Sequence, residues 1–147
     1  MEAERKIYRN MEWKTPEEMH FSVLQWISSL DFIRDENKFL EEILKEFTIP
    51  LLEAHFLERA KDLVTRLSLV EQQQKELSKK LSLHRNNLKV VTDGMDPPEE
   101  ENKYKEEHKD LDHEVSGFTE KYRVLKKEIF EMISLSLKKQ KQGRLLP

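Results

Sequence analysis

The chain has no cysteine. That excludes a disulfide, a thiolate nucleophile and a cysteine-ligated zinc site, and it fits a reducing compartment. It has only three glycines, Gly94, Gly117 and Gly143, too few and too scattered for a Gly-rich phosphate-cradling loop. It has no apolar run approaching the roughly 20 residues that span a bilayer, so no membrane span is expected. The opening Met1-Glu2-Ala3-Glu4-Arg5-Lys6 lacks the apolar core of a signal peptide. A soluble, cytoplasmic protein is the expectation. A strong excess of one charge is missing too. The formal net charge is −3, so no bulk attraction to nucleic acid is expected. No stretch reads as a strand, and no strained nucleophile turn is present. A non-catalytic role follows as the expectation.

What the chain does have is charge and apolar residues in equal measure, 37% of each over 147 residues. One domain of long helices with a narrow apolar seam suits that balance better than a wide globular core. Residues 1–14 show no clear period and read as an N-terminal tail. Thr15-Pro16-Glu17-Glu18 then writes a helix start, with a capping hydroxyl, a proline in the first turn and Glu at the capping-box position. From there Met19, Val23, Trp26, Leu30, Ile33, Asn37, Leu40, Leu44 and Phe47 advance in alternating steps of four and three. Such a heptad marks a helix that meets its neighbours along one seam. A first helix over about 16–47 is predicted. Thr48-Ile49-Pro50 interrupts it, because the residue before a proline avoids the helical region. Residues 48–54 read as a connection, with Leu51 and Leu52 plugging the end.

A second helix, about 55–91, carries Phe56, Ala60, Leu63, Leu67, Val70, Gln74, Leu77, Leu81, His84, Leu88 and Val91. A third, about 97–142, carries Tyr104, His108, Leu111, Val115, Phe118, Tyr122, Leu125, Ile129 and Met132. Between them lies the most strongly written break, Thr92-Asp93-Gly94-Met95-Asp96-Pro97-Pro98. Gly94 suits the left-handed residue that ends a helix, Asp96 a cap and Pro97 a first helical position. Gly143 is placed to close the third helix before the tail 144–147.

Short connections make consecutive helices antiparallel. Leu88 then falls beside Tyr104, Leu81 beside Leu111, Leu67 beside Leu125 and Leu40 beside Leu63. Charge agrees: the third helix is acidic early and basic late. Its acidic half would flank Lys75, Lys79 and Lys80, and its basic half Glu36, Glu41 and Glu42. Each such surface pair is worth at most ~1 kcal/mol, but the pattern selects a register. The fold class expected is all-α, an elongated, coiled-coil-like antiparallel three-helix bundle over residues 15–143.

The same pairing sets His84 level with His108, and near Met19 with its neighbour His20. Glu17 and His20 form Glu-x-x-His, the spacing that puts carboxylate and imidazole on one helix face. His20, His84, His108 and Glu17 are therefore candidate ligands for a divalent metal such as zinc. The alternatives are a pH-sensitive polar layer and plain structural histidines. No cofactor is implied by the rest of the chain. Hemerythrin-like and ferritin-like sites fail on count, since His55 and Glu58 have the wrong spacing and only one Glu-x-x-His occurs. Asn37 and Gln74 read as polar layers that fix register.

The runs Ser29-Leu-Asp-Phe-Ile-Arg-Asp-Glu-Asn-Lys-Phe-Leu40 and Asp93-Gly-Met-Asp-Pro-Pro-Glu-Glu-Glu101 resemble small helical proteins of marine flavobacteria of no assigned activity. The resemblance covers most of the chain beyond residue 15 and implies no activity. The function expected is contact between helices, as a homo-oligomer or an adaptor to another protein. The alternative is a metal-binding bundle.

Overall fold

The computed structural model describes residues 14–92 and 98–145, with side chains at 14–88 and 99–143. Every regular element among them is α-helical. Among the described residues there are four helices rather than three: α1 (Pro16–Glu46), α2 (Thr48–Glu53), α3 (Leu57–Thr92) and α4 (Pro98–Leu145). Among the described residues no helix is long and apolar enough to cross a membrane.

The start of α1 is built as its residues dictate. The Glu18 amide donates to Thr15 Oγ1 at 3.1 Å and the Met19 amide to the Thr15 carbonyl at 3.0 Å, so the threonine caps the helix with side chain and backbone together. The expected connection over 48–54 is a helix instead, α2. Pro50 lies in its first turn, where a missing N–H costs nothing. Helical geometry also separates the two leucines expected to plug the end. Leu51 is buried, whereas Leu52 is 55% exposed. Adjacent helical residues point about 100° apart and do not share a face.

Residue His55 closes α2 with φ 62°. Its amide bonds the Leu52 carbonyl at 3.1 Å and the Phe56 amide bonds the Leu51 carbonyl at 2.8 Å, the paired bonds of a Schellman motif. An L-residue there bears a steric cost of about 1–2 kcal/mol that glycine escapes. His55→Gly is accordingly expected to raise stability by about 1 kcal/mol in thermal or urea unfolding, the flexibility of glycine offsetting part of the relief.

Gly143 does not close α4, which continues through it to Leu145. The helix-end signals placed on Gly94, Asp96 and Pro97 lie outside the described residues. α3 reaches Thr92 and α4 begins at Pro98.

Packing divides into two compact units. Unit 1 takes the chain up to Asp31 and Lys75–Gly117, and unit 2 takes Phe32–Gln74 and everything from Phe118 on. In unit 1, Met19, Val23 and Leu30 of α1 are buried, with Leu77, Leu81, His84 and Leu88 of α3 and Tyr104, His108, Leu111 and Val115 of α4. Met19, Leu88 and Tyr104 form one cluster. Lys80 reaches Glu114, His84 meets His108, and Leu88 shares that cluster with Tyr104. Residue number rises on α3 as it falls on α4, so these two segments run in opposite senses.

In unit 2 the buried row is Ile33, Asn37, Leu40 and Leu44 on α1, Ala60, Leu63, Leu67, Val70 and Gln74 on α3, and Phe118, Tyr122, Leu125, Ile129 and Met132 on α4. α4 extends the row with Ile133 and Ser136, whose hydroxyl donates to the Ile133 carbonyl at 2.8 Å. Asn37 Nδ2 donates to the Leu67 carbonyl at 3.1 Å, so this polar core residue ties α1 to the α3 backbone. Polar groups cross between the helices at the edge of the core. Arg66 pairs with Glu128, Lys126 Nζ lies 2.9 Å from Glu36 Oε1, and Tyr122 donates to the same oxygen at 2.6 Å.

Candidate functional site: a buried histidine pair

Unit 1 contains an unusual polar centre. His84 arrives from α3 and His108 from α4, both at heptad positions that elsewhere are mostly apolar. Both are fully buried. His84 Nε2 and His108 Nδ1 are 2.9 Å apart. One imidazole must donate and the other accept, so the neutral pair holds a single shared N–H between its facing nitrogens.

Aromatic rings enclose the pair. Tyr104, one turn before His108 on α4, stacks on His84 with centroids 4.1 Å apart and planes 5° from parallel. Trp26 of α1 lies 4.7 Å from the His108 ring at a 32° tilt. Three polar atoms in this enclosure have no hydrogen-bond partner: His84 Nδ1, His108 Nε2 and the Tyr104 hydroxyl. The nearest anion is Glu107, whose Oε1 is 3.5 Å from His84 Nδ1, at the outer limit of hydrogen bonding.

That carboxylate selects the tautomer. A proton on His84 Nδ1 faces Glu107 favourably, whereas a bare lone pair there would face it unfavourably. His84 Nε2 is then the acceptor, His108 Nδ1 the donor, and His108 Nε2 carries an unbonded lone pair. Burial lowers the basicity of both imidazoles, because the enclosure cannot solvate an imidazolium. For His84 the nearby Glu107 opposes that effect without overcoming it. For His108 burial acts together with the charges of His84 and Lys14, and the value falls to about 3. The Tyr104 hydroxyl is pushed up by burial and by Glu107 and stays protonated.

Of the four candidate metal ligands, the structure brings together His84 and His108. His20 is half-buried and Glu17 exposed, and no group of three or more His, Asp or Glu side chains among the described residues is placed to hold a metal ion. The proposed four-ligand centre is therefore not assembled. Met19 occupies the seam at this level, and His20, the next residue, points about 100° further round α1. The two histidines also spend their facing nitrogens on each other. Sequence reasoning placed Tyr104 and Trp26 on the seam but did not see that they would wall the pair, nor that Glu107 would face it. The signal available was the spacing: Tyr104 and Glu107 lie four residues and one residue before His108, within one turn of it.

Comparison with known proteins yields no match among protein-family models, curated proteins or solved structures, so none of them extends the flavobacterial resemblance.

Proposed function

We propose that the chain is a non-catalytic, antiparallel three-helix bundle of coiled-coil type that works by helix–helix contact with protein, as a homo-oligomer or an adaptor. Three long helices with heptad seams, joined in one stretch by the short α2, support the architecture. The observation that carries the function is the distribution of exposed apolar side chains. Thirteen large hydrophobic residues are exposed among those described, and ten of them belong to unit 2. Single exposed apolar residues are ordinary, and it is their repetition along one helix face that supports the contact reading. Phe32 and Phe39 stand one heptad apart on the same face of α1, and Phe130 and Leu137 one heptad apart on α4. All four are exposed. Exposed apolar residues repeating by sevens are what a further helix packs against.

Sedimentation velocity over a wide concentration range, with capture of bound proteins from extract by the intact chain, tests the reading. The native chain is expected to sediment above monomer mass or to retain specific partners. Phe32→Glu/Phe39→Glu should abolish either behaviour while leaving the helical circular dichroism unchanged, because neither ring is in the core. A native chain that stays monomeric, with a captured set the substitutions do not alter, overturns it.

A further inference from the structure

We propose that the His84–His108 pair is an acid-sensitive latch: proton uptake at this buried junction releases the packing of α1, α3 and α4 in unit 1. The proposal is independent of what unit 2 contacts. The closed pair has room for one proton between its facing nitrogens, and two N–H groups pointed at each other across 2.9 Å would clash electrostatically. With His84 Nδ1 already protonated, an additional proton must therefore enter at His108 Nε2, one of the three buried atoms of the enclosure without a partner. No anion faces that atom. The groups that do face the pair are Lys14 from the residue leading into α1, and Tyr104 and Glu107 from α4. Lys14 opposes a new positive charge. Lys14 is itself held by a 3.0 Å hydrogen bond to Ser22 Oγ. Tyr104 offers an aromatic face to His84, and Glu107 faces His84 rather than His108. Charge on His84 would meet Glu107 at 3.5 Å, but charge on His108 faces no anion, and burial of both rings outweighs the Glu107 attraction, so the enclosure must part to solvate the imidazolium.

The sign follows from where the proton binds more strongly. An opened chain exposes its histidines, which then take up protons near pH 6.5. The closed pair resists protonation, down to about 3 for His108. Stability contributed by the neutral pair is complete above about pH 6.5. It drains as pH falls below that value, because the open state then binds more protons. Each histidine raises the open-to-closed ratio by up to about tenfold per pH unit, so the two together approach about 100-fold. The surface released includes Met19, Leu88 and Tyr104, the buried cluster beside the pair. Mild acid would thus convert a polar junction into an exposed apolar site.

Two measurements on the full chain decide the matter. Urea unfolding at steps between about pH 7.5 and 5.5 should show stability falling through the window where free imidazole titrates. His84→Leu/His108→Leu, which fills the layer with apolar volume, should lose most of that dependence. A stability independent of pH across the window, or an equal fall in the double variant, overturns the latch. NMR of the imidazole Cε1–H groups in the native chain needs no variant to fold. Both rings should keep neutral-form shifts until unit 1 amides lose hydrogen-exchange protection. Protonation of either ring with unit 1 protection intact overturns the proposal equally.

Discussion

Leu67→Ala is expected to destabilise the protein by about 2–5 kcal/mol in urea or thermal unfolding, the range for removing a fully enclosed leucine. Leu67 is completely buried in unit 2, next to the point where Asn37 bonds its carbonyl. Truncation therefore forfeits the transfer energy of the lost methyl-bearing carbons and leaves a cavity that the bonded α1–α3 junction cannot easily collapse. Leu69→Ala, two residues along the same helix, is the matched control. Leu69 is 52% exposed and lines an open groove of about 360 Å³ between α3 and α4, facing Val124. Its truncation should change stability by no more than about 0.5 kcal/mol. Equal effects at the two positions would mean that the seam does not run where the structure places it.

Tyr122→Phe is expected to cost about 1.5–3 kcal/mol at neutral pH, the range for a hydrogen bond to a charged partner. The phenol donates to Glu36 Oε1 at 2.6 Å, and Lys126 Nζ contacts the same oxygen at 2.9 Å. Burial pushes the Glu36 carboxyl up, but the hydrogen bonds from Tyr122 and Lys126 and the lysine charge outweigh it, so the group sits below the usual carboxylate range. The phenol is pushed up by burial and by its bond to Glu36, and remains a donor well into alkaline solution. A carboxylate depressed in the folded state contributes stability that is present above its unfolded value, about 4.3, and is lost as pH falls through the folded one. The difference between native and Tyr122→Phe chains should therefore narrow in strong acid. A difference that holds constant down to about pH 2–3 would place the benefit in ring packing instead of in the bond to the carboxylate.

Much of the architecture was legible because one signal dominates such a chain. Every seam position with a described side chain is buried or, at Trp26, Phe47 and Phe56, half-buried. A period of three and four over dozens of residues can be satisfied only by a helix with one covered face. Charge complementarity was legible for the same reason, and Lys80–Glu114 and Lys126–Glu36 join the segments the pattern paired. The failures are local. α2 was hidden because the preference of Ile49 for extended backbone before Pro50 gave way to helical packing around Leu51. The left-handed turn at His55 was hidden because no glycine announces it. Gly143 was read as a stop although a lone glycine costs a helix only about 1 kcal/mol. In the site, the level of His84 and His108 followed from register alone. The inclusion of His20 and Glu17 failed because closeness in number along α1 is not closeness in direction.

The division into two units has a consequence for how the chain comes off the ribosome. Neither unit is a continuous piece of sequence: each borrows a portion of α1, α3 and α4. Synthesis runs from the N-terminus, so the emerging α1 waits with both its halves unpartnered. The histidine junction can close only after His108 has been added. The seam of unit 2, although its α1 and α3 segments are made earlier, stays open until the last turns of α4 arrive, with Lys139 reaching the Ala54 carbonyl at 3.3 Å and covering the Phe56 ring at 4.6 Å. The nascent chain thus carries the unit 2 seam of α1 and α3 uncovered until the distal part of α4 has been made. A ribosome stalled before the distal part of α4 would hold a chain with one unit complete and the other still open to chaperones.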